Sequence, residues 1–156
     1  MAKEHPLFWH NIQHGLFLLE KQLKDTDFIP DALIVVGRGG LVPGTLFAYR
    51  LNVKTVYNFS VQSYGDNKQG GDITVLQQPP ESLSEYKDKK VLVFDDLSDS
   101  GNTLSYIVNS LKNDFKLSNV KSTTLCIKKG TNFVPDYYIQ EYQPETWLVF
   151  PWEVSA

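Results

Sequence analysis

The segment Val91-Leu92-Val93-Phe94-Asp95-Asp96-Leu97-Ser98-Asp99-Ser100-Gly101-Asn102-Thr103-Leu104 is the tightest constraint on how this 156-residue chain can fold. Four uninterrupted apolar residues read as a strand covered on both faces, the pattern of a parallel sheet rather than of a surface ribbon. After the acidic pair come small hydroxyl residues and a glycine, and then Leu104, Ile107, Val108 and Leu111 fall on one side of a helix. Strand, acids, polar loop and helix in so short a stretch describe a single strand–helix unit.

Two adjacent carboxylates are expensive to bury without partners. At a strand end they can meet water, a divalent cation or a diol. Mg²⁺ prefers carboxylate, water and phosphate oxygens, and sugar hydroxyls donate to ionised carboxylates. Alternation along a strand predicts that Asp95 and Asp96 point differently and do separate jobs. Where α-helical N–H groups converge beyond them, Ser100–Thr103 is suited to a phosphate, with the Ser100 and Thr103 hydroxyls as extra donors. The alternative for this loop is an ordinary helix start capped by Asp99 or Ser100.

The rest of the chain repeats the alternation of strand and helix. Trp9, Ile12, Leu16, Leu19 and Leu23 recur at helical spacing, and Pro30-Asp31 ends that segment. Ala32–Val36 is a second fully apolar strand, broken by Gly37-Arg38-Gly39-Gly40. Pro43 then suits the first turn of a helix running to about Leu51, with Asn52 as a left-handed end. Further strands are expected at Thr55–Ser60, Ile73–Leu76, about Lys121–Ile127, Tyr137–Ile139 and Trp147–Val149. Between two of them, Tyr64–Asp72 is polar and glycine-bearing and reads as a hairpin or flexible flap. The fold class is therefore α/β, with a mainly parallel sheet flanked by helices and all of 1–156 forming one domain. Ligands of such sheets gather beyond the strand C-termini. Arg38, Asp95–Thr103 and Lys128 all follow strands and should share one rim.

Composition narrows the function classes. Fifteen Lys and Arg stand against eighteen Asp and Glu, a formal charge of -3, which argues against a broad nucleic-acid surface. The single cysteine, Cys126, excludes an internal disulfide and reads as a packed core thiol within Thr124–Ile127. Leu16-Phe17-Leu18-Leu19 falls far short of the roughly 20 apolar residues of a membrane span, so the cytoplasm is the expected compartment. No Gly-x-x-x-x-Gly-Lys-Ser/Thr loop and no dinucleotide glycine fingerprint are present. Taken alone, Arg38-Gly39-Gly40 is either an anion clasp or a tight structural turn. Lys128, beside Lys129 and Gly130, reads as a solvated turn, and Trp147 and Trp152 as core or interface residues.

Val91–Leu104 resembles the phosphoribosyl-pyrophosphate-binding motif of type I phosphoribosyltransferases, and over nearly its whole length the chain is similar to the bacterial xanthine-guanine phosphoribosyltransferases of that family. Gly37–Pro43, Ser63-Tyr64, Asp95–Thr103, Val134–Tyr137, Glu145-Thr146-Trp147 and Pro151-Trp152-Glu153 carry the resemblance. It implies transfer of a 5-phosphoribosyl group from phosphoribosyl pyrophosphate to N9 of guanine, xanthine or hypoxanthine. By the same resemblance Asp95 and Asp96 hold the ribose hydroxyls and the Mg²⁺ shell, with Asp96 the metal residue. Asp99 lies near N7 of the base; a carboxylate is a weak base near neutrality, so its part is mainly positional. Ser100, Gly101, Asn102 and Thr103 bind the 5′-phosphate, and Arg38 and Gly39 contact pyrophosphate through an unusual backbone geometry. Lys128 donates to the 6-oxo group, Trp147 stacks on the ring, and backbone carbonyls near Leu148 face its exocyclic edge. Lys68 is the nearest basic residue after the flap tyrosine, displaced by one position from the family spacing. A small base-binding hood and a homodimeric or homotetrameric assembly are also implied. The rival expectations are a regulatory nucleotide-binding protein of the same fold and a transferase for another base.

Overall fold

The computed structural model describes residues 3–64 and 72–153. In chain order these form β1 (Lys3–Pro6), α1 (Trp9–Asp25), β2 (Ala32–Val35), α2 (Leu41–Leu51), β3 (Thr55–Asn58), β4 (Ser60–Tyr64) and β5 (Asp72–Gln77). A 3₁₀ turn at Glu81–Tyr86 precedes β6 (Lys90–Ser98), α3 (Asn102–Asn113), β7 (Asn119–Lys128), β8 (Gln140–Tyr142) and β9 (Thr146–Val149). The central sheet has the order β3-β2-β6-β7-β8, and every neighbouring pair is parallel.

The apolar strands divide their side chains between two cores, as period-two geometry requires. Leu33, Val35, Leu92 and Phe94 pack with Ile12, Leu16, Leu19 and Leu23 of α1 and Phe47 of α2. Ala32, Ile34, Val91 and Val93 pack on the other face with Leu104, Ile107, Val108 and Leu111 of α3. Each fully buried Leu, Ile, Val or Phe contributes about 1.5–3 kcal/mol relative to exposure. Gly15 lets α1 approach the sheet closely, since a β-carbon there would lie 2.9 Å from Leu125 Cδ2. Asn52 ends α2 in the left-handed region with φ 54°. Cys126 is buried in the first of these cores.

Three sequence expectations need adjustment, and one strand has no counterpart among them. The strand expected over Thr55–Ser60 is two strands: the buried Phe59 donates its N–H to Val35 O, and Ser60 begins β4, which leaves the sheet to form an antiparallel hairpin with β5. The Tyr137–Ile139 strand lies later, at Gln140–Tyr142. Tyr137 makes only an isolated bridge to Thr123 and ties its hydroxyl to Thr26 Oγ1 at 2.7 Å. Strand β6 does not stop at Phe94 but continues through both aspartates to Ser98, because its backbone stays in register with β7, with Asp95 opposite Thr124 and Ser98 opposite Ile127. Finally, the polar Lys3–Pro6 segment pairs in parallel with β9, placing Glu4 opposite Trp147. The centre of the expected flap, 65–71 with Lys68, lies outside the described residues.

Candidate functional site

Strands β2, β6 and β7 are adjacent and parallel, so the segments leaving their C-terminal ends emerge at one rim of the sheet. These segments carry Arg38, the Asp95–Thr103 stretch and Lys128.

The first segment is Gly37–Gly40. The Gly37–Arg38 peptide is cis. Asn58 at the end of β3 anchors the turn by accepting the Gly37 N–H at 2.9 Å. Arg38 is exposed. With Gly39, Leu41, Val42, Trp152 and Glu153 it lines an open cavity of about 770 Å³. Gly39 is required by what lies against it. A β-carbon there would overlap Asp96 Oδ2 and lie 2.9 Å from Asp96 Cγ.

Asp95 and Asp96 are partly accessible, yet surrounded by protein. Asp95 Oδ1 accepts the Asp96 N–H at 2.8 Å. Burial pushes Asp95 well above the usual carboxylate range, and the neighbouring Asp96 charge adds to it. Burial also raises Asp96, with the Glu153 charge acting in the same direction, against hydrogen bonds from Asp95 and the Leu97 N–H. Neither carboxyl has a Lys or Arg ion-pair partner among the described residues, where the ion pairs join Lys21 to Asp25 and Glu20 to Lys24 and Arg50. The two aspartates face different surroundings, Asp95 lining the cavity over the following loop and Asp96 lying on Gly39. Their side chains nevertheless interact, the Asp96 charge helping to raise Asp95.

Beyond them, Asp95, Leu97, Ser98, Asp99, Ser100, Gly101, Thr103 and Leu104 line a cavity of about 110 Å³. Gly101 caps α3 with φ 89°, a conformation that glycine adopts without strain. No side chain caps the helix in the usual way, although the Asn102 N–H donates to Ser100 Oγ at 3.2 Å. Asp99 is exposed. The first-turn N–H groups, which have no intrahelical acceptors, thus lie at the wall of a small polar cavity. A helix start beside an acidic pair that has no Lys or Arg partner among the described residues suits a ligand that is anionic at one end and hydroxyl-bearing at the other.

Lys128 is not on a solvated turn. It is the last residue of β7, only 6% exposed, and its Nζ donates to Pro144 O at 3.1 Å and to Thr146 O. An ammonium has three N–H donors, so one remains for another acceptor. Trp147 follows Thr146 and is 61% exposed on the short β1–β9 sheet. The Leu148 side chain belongs to the core, which leaves its backbone as the part able to meet a ligand. Trp152 stacks on Phe150 with centroids 4.8 Å apart and packs against the same core.

Several contributors carry no sequence signal. Asn58 holds the Gly37 turn from another strand, and Thr131 and Phe133 lie directly under Gly101. Among the described residues no group of three or more His, Cys, Asp or Glu side chains could hold a metal ion by itself. A Mg²⁺ held by one or two carboxylates plus substrate oxygens needs no such group. The unpaired acidic pair fits that description.

The phosphoribosyl transferase domain model matches residues 9–156. Among solved structures, a purine phosphoribosyltransferase from Pyrococcus horikoshii is 31% identical, with a TM-score of 0.82 over 98% of this chain and 96% of that one. A xanthine-guanine-hypoxanthine phosphoribosyltransferase from Helicobacter pylori superposes with a TM-score of 0.82 at 24% identity, over 97% and 94% of the two chains. A Trypanosoma cruzi hypoxanthine phosphoribosyltransferase mutant complexed with the product IMP gives a TM-score of 0.60 at 21% identity, over 86% and 72%. The latter two likenesses concern the fold. A parallel sheet carrying an acidic pair and an anion-directed helix start, together with these matches, means that the chain belongs to the phosphoribosyl transferase domain family and has the type I phosphoribosyltransferase fold.

Proposed function

We propose that this protein is a Mg²⁺-dependent purine phosphoribosyltransferase that transfers a 5-phosphoribosyl group from phosphoribosyl pyrophosphate to N9 of guanine, xanthine or hypoxanthine, releasing pyrophosphate. The observation that carries the reading is the buried Lys128 ammonium, held by two carbonyls with one N–H to spare, at the same rim as the acidic pair and the α3 start. The name of the Pyrococcus horikoshii relative supports the purine class.

In this reading the Ser100–Thr103 N–H and hydroxyl groups hold the 5′-phosphate. Asp95 accepts from the ribose hydroxyls, which fixes the sugar between its two anionic ends. Asp96 with Asp95 would hold Mg²⁺, and the bound cation would supply charge neutralisation for pyrophosphate as it departs. Arg38 and the Gly39 backbone align that leaving group from the opposite side. Alignment of both ends converts binding into orientation of the reacting carbon. Asp99 accepts from N7 of the base. Lys128 donates to the 6-oxo oxygen, while Trp147 offers a ring face for stacking. An ammonium meets an oxo group as donor to acceptor but finds no acceptor in an amino group, so adenine is disfavoured. Closure of the β4–β5 hairpin over the site would exclude water; Lys68 lies outside the described residues.

The assembly in this reading is a homodimer or homotetramer. Leu41, Val42, Leu46 and Tyr49 leave one face of α2 apolar and exposed beside the Arg38 turn, which suits a second copy. No helix of the described residues is long and apolar enough to cross a membrane, and the cytoplasm is the proposed compartment, with 1–156 working as one domain. The test is a panel of guanine, xanthine, hypoxanthine and adenine with phosphoribosyl pyrophosphate and Mg²⁺, read by pyrophosphate release. Release with at least one oxopurine and not with adenine is the expected result. Release with adenine alone would reassign the base.

A further inference from the structure

Four polar groups under the α3 start, the Ser98 and Thr131 hydroxyls and the N–H and carbonyl of Phe133, hydrogen-bond to one another in a ring. The Phe133 N–H points to Thr131 Oγ1 at 3.4 Å. Thr131 Oγ1 lies 3.1 Å from Ser98 Oγ, and Ser98 Oγ donates to Phe133 O at 2.8 Å. Each hydroxyl has one proton. With the Ser98 proton given to Phe133 O, Thr131 accepts from the Phe133 N–H and has its own proton for Ser98 Oγ or, at 3.3 Å, for Phe133 O. Ser98 is only 3% exposed, so its hydroxyl is committed to this circuit and is not one of the loop's ligand-facing hydroxyls.

The ring lies in direct contact with the helix start. A β-carbon on Gly101 would overlap Phe133 N and sit 2.8 Å from Thr131 Oγ1. Nothing intervenes to absorb a shift of Phe133 before it reaches Gly101. The same turn is tied to the loop by Asn132 N–H donating to Ser100 O at 2.8 Å, and to the base-side strand by Thr131 N–H donating to Lys128 O at 3.1 Å.

We infer that Ser98 and Thr131 are positioning residues for the phosphate site: their hydroxyls hold the Phe133 backbone as the floor on which Gly101 and the α3 N–H groups keep the geometry that receives a phosphate. This rests on the phosphoribosyl-transfer reading. Ser98→Ala removes the shorter of the two bonds to Phe133 O and leaves only the 3.3 Å bond from Thr131 Oγ1, so the floor is held less tightly. Thr131→Val does the same from the other side of the ring, whereas Thr131→Ser keeps the hydroxyl.

The experiment measures the affinity of ribose 5-phosphate and of a phosphate-free oxopurine nucleoside for the full chain and these three variants by calorimetry, with thermal melts alongside. Ser98→Ala and Thr131→Val are expected to bind ribose 5-phosphate about tenfold more weakly, the effect of one net hydrogen bond. Nucleoside affinity should stay within about twofold, and Thr131→Ser should match the parent for both ligands. Because the two hydroxyls belong to one ring, the Ser98→Ala/Thr131→Val double variant should lose less than the product of the single losses. Unchanged ribose 5-phosphate affinity in both single variants, or equal losses for both ligands, would overturn the inference while leaving the proposed reaction intact. Failure of the parent chain to bind ribose 5-phosphate at all would overturn both.

Discussion

The carboxylate of Asp96 lies over the backbone of Gly39, occupying the space that a β-carbon at that position would need. The Gly37–Gly40 turn and the acidic pair therefore fit together only because residue 39 has no side chain. Gly39→Ala must displace Asp96, and a misplacement on the order of 1 Å costs roughly 10²-fold in an aligned reaction. A loss of that order in kcat/KM is expected, with a melting temperature close to the parent's because the contact is at the rim. Steady-state rates and a thermal melt check both halves; a fully active Gly39→Ala enzyme would show that Asp96 need not stay where it is.

The acidic pair should set stability against activity. Asp95 is held above its ordinary value by burial and by the Asp96 charge, so the folded chain binds this proton more tightly than the unfolded chain does. Stability is then greatest at acid pH, falls as pH rises from the ordinary carboxylate value through the raised folded value, and levels off above it. Asp95→Asn removes that loss. The variant should melt a few degrees higher than the parent at pH 8, with the gap closing as pH falls, and should lose its activity. Parallel melts across pH 4–9 would reveal the opposite sign if the carboxylate were instead stabilising.

Lys128 should act on the base and not on the sugar phosphate. Its ammonium is fixed by the carbonyls of Pro144 and Thr146, and none of these three residues lines the cavity at the α3 start. Lys128→Ala is expected to raise KM for the oxopurine by about 10–100-fold, the loss of one charged hydrogen bond, while KM for phosphoribosyl pyrophosphate changes little. Equal increases for both substrates would reject the assignment.

Cys126 is predicted to be inert in the native protein. Burial, with the Asp96 charge behind it, pushes its thiol up to about 12, so the reactive thiolate is scarce at any ordinary pH. A thiol-reactive dye at pH 8 should label the chain only after unfolding in denaturant. Stoichiometric labelling of the folded protein within minutes would mean that the strand opens readily around β7.

Much of the fold is legible because its strands are continuous apolar runs. Ala32–Val36 and Val91–Phe94 could be satisfied only by packing on both faces, and their side chains do alternate between two cores. The helical spacing from Trp9 to Leu23 and the left-handed Asn52 are local signals of the same kind. What the sequence conceals is backbone pairing that polar side chains do not advertise. Strand β6 runs on through Asp95 and Asp96 because main-chain bonding to β7 is indifferent to charge, and Lys3–Pro6 becomes a strand only because β9 is there to pair with it. At the site, the acidic pair and the glycine loop stand out by spacing. The burial of Lys128 does not, since its restraining carbonyls arrive from Pro144 and Thr146, and neither does the Ser98–Thr131 contact across 33 residues.

The central claim is most directly tested by identifying the product. The protein is incubated with phosphoribosyl pyrophosphate, hypoxanthine or guanine, and Mg²⁺, and the nucleotide and pyrophosphate formed are quantified together, with a metal-chelated control. The account predicts the N9 nucleoside monophosphate and pyrophosphate in equal amounts, with neither formed when Mg²⁺ is withdrawn. Folded protein that yields no nucleotide from guanine, xanthine or hypoxanthine under these conditions would contradict it.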